Sequence, residues 1–320
     1  MVWAKWIFLF SCFTTGIFRL AAQPEDSSYI RKYDKQNDVE LFNSYNSNRL
    51  QFYTAEHHNQ AVNLFTNNGL FTGVYLDYKW ATIGYGIDVP FTSRDNNVKD
   101  FKLYRFHLNT YNHGWGITSN ANVYKGFLSQ QYKDKYTPVP GVRYTNLNAD
   151  LYHVGNYQQF SFNAAHWLSE QQLKSCGTFI YHVRPSYAAL KAETTSLTEN
   201  NEEPRFINEN PRWLSLTGSL SYAYSFVWNN GKWIISPQIE AGGGILYQFG
   251  IEEKLKPTGF GRTALTAGYN SNVWYIYLNA ETINTKSIFS STIMREDQWS
   301  VSLTAGYRLA DFKRKILGLL

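Results

Sequence analysis

Between residues 70 and 309 apolar and polar residues alternate with a period of two, and the polar members are mostly small. That period sends successive side chains to opposite faces of a strand, so each segment carries one apolar and one polar face. Leu214, Leu216, Leu220, Tyr222, Tyr224, Phe226 and Trp228 share one face; Ser215, Thr217, Ser219, Ser221, Ala223 and Ser225 share the other. Trp233, Ile235, Ile239, Ile245, Tyr247 and Phe249 stand likewise against Ser236, Gln238, Glu240, Gly242, Gly244 and Gln248, and Trp299, Val301, Leu303, Ala305 and Tyr307 against Ser300, Ser302, Thr304, Gly306 and Arg308. Further strands are predicted over 70–78, 80–89, 101–111, 115–125, 145–153, 157–167, 176–188, 262–270 and 273–284.

A soluble sandwich also has one apolar face. Its solvent face, however, is usually rich in Lys, Glu and Thr, whereas here the polar face is Ser, Asn, Gly and Gln, suited to a crowded or water-filled interior. Trp80, Trp115, Tyr157, Trp233 and Trp274 each follow a short turn, as an interfacial aromatic girdle requires. The reading is an all-β, antiparallel up-and-down transmembrane barrel, whose closure leaves no unpaired edge in lipid.

Composition excludes other classes. With 43% hydrophobic and 17% charged residues the chain is too apolar for disorder. Past the first twenty residues no apolar run reaches the ~18 residues of a membrane helix. Residues 1–22 read as a secretory signal, with Lys5 before an apolar stretch and Leu20-Ala21-Ala22 before the cut. Its removal takes Cys12 and leaves Cys176 unable to form an internal disulfide. The formal charge of +5 falls to +3 as Lys5 and Arg19 leave, too little to suggest nucleic acid. The expected division is a signal peptide at 1–22, a periplasmic segment at 23–47, the barrel at 48–310 and a periplasmic tail at 311–320.

Turn lengths orient the barrel. Turns near Lys79, 112–114, 154–156, 229–231 and 271–272 are short, whereas 90–100, 126–144, 251–259 and 286–297 read as long loops. Short turns face the periplasm and long loops the outside. An upward strand is then needed within 48–65. Twelve strands follow if 168–174 is an inward lump in one interrupted strand, fourteen if it is a loop beside another hairpin.

Several segments resemble a family of Bacteroidota outer-membrane barrels catalogued as a domain of unknown function, numbered four-four-two-one. They are Asn68-Gly69-Leu70 through Tyr78-Lys79-Trp80 to Gly84-Tyr85-Gly86, Phe160-Ser161-Phe162-Asn163-Ala164-Ala165, Lys174-Ser175-Cys176-Gly177-Thr178-Phe179 and Tyr222-Ala223-Tyr224-Ser225-Phe226. Cys176 and Thr178 depart mildly from the family's pattern. The resemblance implies an outer-membrane location and supplies no activity.

No catalytic residue, metal or cofactor is expected. Outer-membrane lipid hydrolases set a His and a Ser on one face of a strand so that the imidazole takes the hydroxyl proton. None of the seven His has a Ser two positions away, and the pair His182 with Ser186 is broken by Pro185. A cross-strand triad through Asp150 stays open. Glu56-His57-His58 resembles a metal motif, but adjacent His on an extended chain point apart. The projected lumen carries Asp77, Asp88, Asp150, Glu240 and Glu281 against Lys79, Arg105, Arg184, Arg262 and Arg308, with His107, Asn163 and His182 as further polar candidates. Glu170, Gln172 and Lys174 are candidates for a constriction or binding patch. The expected function is non-enzymatic, a narrow solute channel or a structural barrel with an occluded polar lumen. A lipid-modifying enzyme and a secreted sugar-binding sandwich are the alternatives. The expected partners are outer-membrane lipids and the barrel-assembly machinery.

Overall fold

A computed structural model describes residues 24–34, 37–54, 62–78, 81–95, 101–132, 135–192, 210–250, 255–289 and 292–309. The expected signal peptide, Lys79, Glu56-His57-His58 and the tail at 311–320 lie outside these residues, as do the side chains of Asp77, Asp88 and Arg105. The elements in chain order are β1 (Ile30–Lys32), β2 (Asn37–Thr54), β3 (Val62–Phe65), β4 (Leu70–Tyr78), β5 (Ala81–Asp88), β6 (Lys102–Asn112), β7 (Trp115–Tyr132) and β8 (Lys135–Val154). A helix α1 (Phe162–Trp167) and β9 (Glu170–Gln172) follow, then β10 (Cys176–Ala192), β11 (Arg212–Trp228), β12 (Trp233–Phe249), β13 (Leu255–Asn270), β14 (Trp274–Ile288) and β15 (Thr292–Leu309).

The strands form a closed antiparallel barrel. Its hydrogen-bonded circuit runs β2, β15, β14, β13, β12, β11, β10, β8, β7, β3 and back to β2, ten strands in all. Three further strands, β4, β5 and β6, hang on the same edges. β3 takes Arg49–Phe52 of β2 while β4 takes Asn37–Tyr45, and β3 takes Leu128 and Ser129 of β7 while β6 takes Trp115–Lys125. The circuit thus closes through β3 at the loop end, and β4, β5 and β6 fill the gap between β2 and β7 at the turn end. Twelve strands are reached only by counting those three in place of β3.

Alternation decides which face is which. On β11 Leu214, Leu216, Leu220, Tyr222, Phe226 and Trp228 are exposed on the outer wall, while Trp213, Thr217, Ser221 and Ser225 are buried inside. The wall strands from β7 to β15, all but the plug strand β9, have 15–20 residues and exceed the ~9–11 needed to cross a bilayer, so the barrel projects past the apolar band.

Four sequence expectations are corrected. The segment 157–167 is not a strand: Ser161 caps a helix by accepting a hydrogen bond from Ala164 N at 2.9 Å, and Phe162, Ala165 and His166 are buried at helical spacing. The long loops expected at 126–144 and 286–297 are largely strand, with β7 running to Tyr132, β8 starting at Lys135, β14 running to Ile288 and β15 starting at Thr292; a bulge between Lys125 and Phe127 shifts the period and hides the alternation. The barrel wall starts at Asn37 rather than residue 48, because β2 pairs with β15 and β4 from that residue onward. The expected upward strand within 48–65 is divided between the end of β2 and the short β3.

Candidate functional site

Lumen-facing residues of neighbouring strands meet in one charged network. Asp150 on β8 receives Arg184 Nη2 of β10 at 2.7 Å, and the same Nη2 lies 3.1 Å from Glu240 Oε1 on β12. Arg262 of β13 stands opposite Glu240 in register, with Nη1 3.7 Å from Glu240 Oε2, and its Nε donates to Glu281 on β14. Ser219 also donates to Glu240, and the Arg184 guanidinium lies 4.0 Å over the Phe260 ring. Burying such charges is tolerable only because each meets an opposite charge. The structure therefore brings Asp150, His182, Arg184, Glu240, Arg262 and Glu281 together.

His182 has a second geometry. Its Nδ1 is 3.1 Å from Asp150 Oδ2 and its Nε2 3.0 Å from Ser221 Oγ. A hydroxyl, an imidazole and a carboxylate in that order form the relay of an activated nucleophile. Three features favour a structural role instead. Ser221 is 1% exposed, its Oγ also accepts from Gln238 Nε2 at 2.9 Å, and the Glu240 carboxylate stands 3.9 Å from His182 Nε2. Ser221 escapes a search along one strand because it sits diagonally across the ladder, two residues from Ser219, the register partner of His182.

The turn end is filled by a plug. β9 pairs with the N-terminal β1, matching Ile30 with Gln172 and Lys32 with Glu170. Helix α1 presents Phe162 to Tyr152 and Tyr111 of the wall, with ring centroids 4.6 and 5.6 Å apart. Leu168 ends the helix at φ 54° and is fully buried beside Ile234, Tyr275 and Tyr277. Its carbonyl accepts from Asn270 Nδ2 at 3.0 Å and from Arg308 Nη2 at 2.5 Å. Arg308 also donates to Ser271 O and Asn270 Oδ1, and its guanidinium lies 3.8 Å over Tyr33 and 4.4 Å over Tyr275. Gly231 has φ 76°, and a Cβ there would lie 2.1 Å from Gln172 O, so the β11–β12 turn closes directly against β9.

The constriction candidates are parts of this plug. Glu170 is buried, takes the Ser161 hydroxyl at 2.6 Å and sits near Asn163. Desolvation holds its carboxyl above the usual range against the pull of Ser161 and Lys32. Gln172 accepts from Ser161 N and donates to Gln159 O. Lys174 lies at the mouth, 3.1 Å from Ser28 Oγ and over the Tyr29 ring. His166 is buried, its Nε2 lacks a hydrogen-bond partner among the described residues, and burial with Arg262 and His182 nearby pushes its imidazole down to about 3. His107 stands apart on exposed β6, bonded to Asn120 at 2.8 Å.

The loop end is filled by the wall itself. Leu50 and Phe52 of β2, Leu64 of β3, Phe127 of β7, Tyr144 of β8 and Leu190 of β10 pack in one cluster with Trp213 of β11, Leu246 of β12 and Met294 of β15. At its edge the buried Glu296 receives Tyr144 Oη, Asn48 Nδ2 and Gln298 Nε2 at 2.9, 2.9 and 2.6 Å. Sequence reading missed this carboxylate, although its inward position in β15 was legible from the alternation.

The family model described as Domain of unknown function (DUF4421) matches residues 24–309, and the chain belongs to that family. Among solved structures it resembles the outer membrane protease OmpT from Escherichia coli at 8% identity and TM-score 0.39, covering 85% of this chain and 96% of that one. It also resembles the β domain of the Bordetella autotransporter BrkA, at 10% identity and TM-score 0.31, covering 85% of this chain and 99% of that one. The Pseudomonas putida toluene transporter TodX matches at 8% identity and TM-score 0.23, covering 86% and 91%. These likenesses concern the barrel fold alone. No curated protein matches the chain.

Proposed function

We propose that this member of the family is a bacterial outer-membrane barrel, exported by its signal peptide and inserted by the barrel-assembly machinery, whose polar lumen is occluded and which performs no catalysis. The observation that carries the reading is the loop-end cluster. Side chains from β2, β3, β7, β8, β10, β11, β12 and β15 touch within it, so the lumen is spanned from wall to wall. The plug makes a second closure at the turn end, and the charged network between them is internally paired.

The test is planar-bilayer recording of the chain from Gln23 onward, refolded in detergent to a heat-modifiable band. The occluded barrel is folded and silent. Steady conductance steps from the unaltered chain would replace it with an open channel.

The Asp150–His182–Ser221 relay favours a second reading, a lipid acyl hydrolase. Labelling of the folded barrel by a fluorophosphonate, lost in Ser221→Ala, would establish that reading; no labelling above the Ser221→Ala level would dismiss it.

A further inference from the structure

Four cations occupy a single row on the outer wall. Lys102 of β6 is the register partner of Lys125 on β7, Lys125 of Arg143 on β8, and Arg143 of Lys191 on β10. All four are exposed. They point away from the lumen, because Tyr124, Tyr144 and Leu190 beside them in sequence point into the loop-end cluster. With strands ~4.8 Å apart the row is about 14 Å long. Arg212 extends it diagonally onto β11, where it opposes Ala189.

Like charges set directly opposite one another destabilise a sheet. Here Lys125 lies 5.8 Å over the Tyr104 ring, but no carboxylate among the described wall residues relieves the row. β6, β7, β10 and β11 contain no Asp or Glu, and Asp150, the single carboxylate of β8, faces the lumen. None of the four cations forms an ion pair among the described residues. The other side of the barrel differs: Lys286 and Arg295 also oppose each other on β14 and β15, but Arg295 Nε meets Asp297 Oδ1 at 2.8 Å.

The row also lies at a particular height. Lys125 is ten residues along β7 from Trp115 at the turn end, and a tilted strand crosses the hydrocarbon in ~9–11 residues. Below the row the outer wall exposes Tyr104, Phe106 and Leu108 on β6 and Tyr181 and Val183 on β10. Beside Lys102 and Lys125 a cavity of about 190 Å³ is lined by the polar side chains of Thr66, Asn67, Asn68 and Ser93. Acyl chains below, cations at the boundary and a polar recess beside them fit one kind of molecule.

We infer that this face binds a phosphate-bearing lipid of the outer leaflet, with phosphate on Lys102, Lys125, Arg143 and Lys191 and acyl chains against the apolar wall beneath. The inference rests on the outer-membrane reading above. Anionic headgroups attract basic clusters at a membrane surface, and the row supplies the charge that a neutral lipid would leave unused.

The experiment uses the chain from Gln23 onward, refolded in detergent, and native mass spectrometry with three probes: bisphosphorylated lipid A, the same lipid stripped of phosphate, and inorganic phosphate. The expected result is retention of bisphosphorylated lipid A, at least about tenfold weaker retention of the stripped lipid, and no competition from inorganic phosphate. The variant Lys125→Ala/Arg143→Ala/Lys191→Ala loses about tenfold or more in affinity while keeping the heat-modifiable band, whereas Lys286→Ala/Arg295→Ala keeps it. Equal binding of the stripped lipid, competition by inorganic phosphate, or an unchanged affinity in the triple variant would overturn the inference and leave the barrel reading intact. A chain that is soluble and monodisperse without detergent would overturn both.

Discussion

The two ends of the lumen are filled by different parts of the chain. At the loop end the wall's own side chains pack into an apolar cluster, continuous with the strands that carry it. At the turn end a separate piece of chain is inserted and held both by apolar packing of Phe160, Phe162 and Leu168 against the wall and by polar contacts, with Arg308 and Asn270 gripping the Leu168 carbonyl and Gln172 bonding the backbone of Tyr29, Gln159 and Ser161. An apolar cluster is hard to open without losing the barrel's stability. The plug, by contrast, is joined to the wall by side-chain contacts alone, because the ladders of the wall do not run through it and β9 pairs only with β1.

The largest effect is expected from Trp213→Ala, which empties the middle of the loop-end cluster and costs about 3–5 kcal/mol in a urea titration of the vesicle-inserted barrel. Arg308→Ala follows at about 3 kcal/mol, since the Leu168 and Ser271 carbonyls and the Asn270 amide oxygen lose a buried donor. The two sites share no partner, so the costs add. The closures are in series, so each single variant stays silent in planar bilayers and the double variant conducts. Current from Arg308→Ala alone would show that the apolar end is not a seal.

A smaller effect separates the ends by pH. His166 stays neutral in the folded plug down to about 3, whereas the unfolded chain takes up the proton near 6.5. The unfolded state then holds more protons, so stability falls as pH drops from about 6.5 toward 3. Glu170 acts oppositely: its raised folded value gives stability that is lost as pH climbs from its ordinary 4.5 through that value. In His166→Gln the acid-side slope flattens, read as urea midpoints across pH 4–7, and a wild-type slope in that variant would assign the titration elsewhere. The smallest effect is Ser221→Ala, about 1 kcal/mol for the lost bonds to His182 and Gln238.

The wall was legible because its rule is local. Each residue of β11, β12 and β15 declares its face by the parity of its position, and Glu240, Arg262 and Glu281 could be placed inside before any partner was known. The plug was not legible in that way. Phe160, Ser161 and Phe162 fit a strand period as well as a helix start, and only the enclosing wall makes burial of α1 favourable. The loop-end strands were obscured by a bulge at Gly126, where the period slips and the residues look like loop. Ser221 and His182 show a third limit: a relay assembled across a ladder depends on register, and register is fixed by pairing over the whole strand.

By itself the sequence determined that this chain forms a membrane barrel with a small-residue polar interior, since a two-residue period of side-chain chemistry is a property of neighbouring positions. Tertiary structure alone decided that side chains fill the lumen at both ends, that ten strands complete the circuit, and that four cations from four strands stand in one row. Those features join residues far apart in the chain, and their meeting depends on closure and register, which no short stretch of sequence encodes.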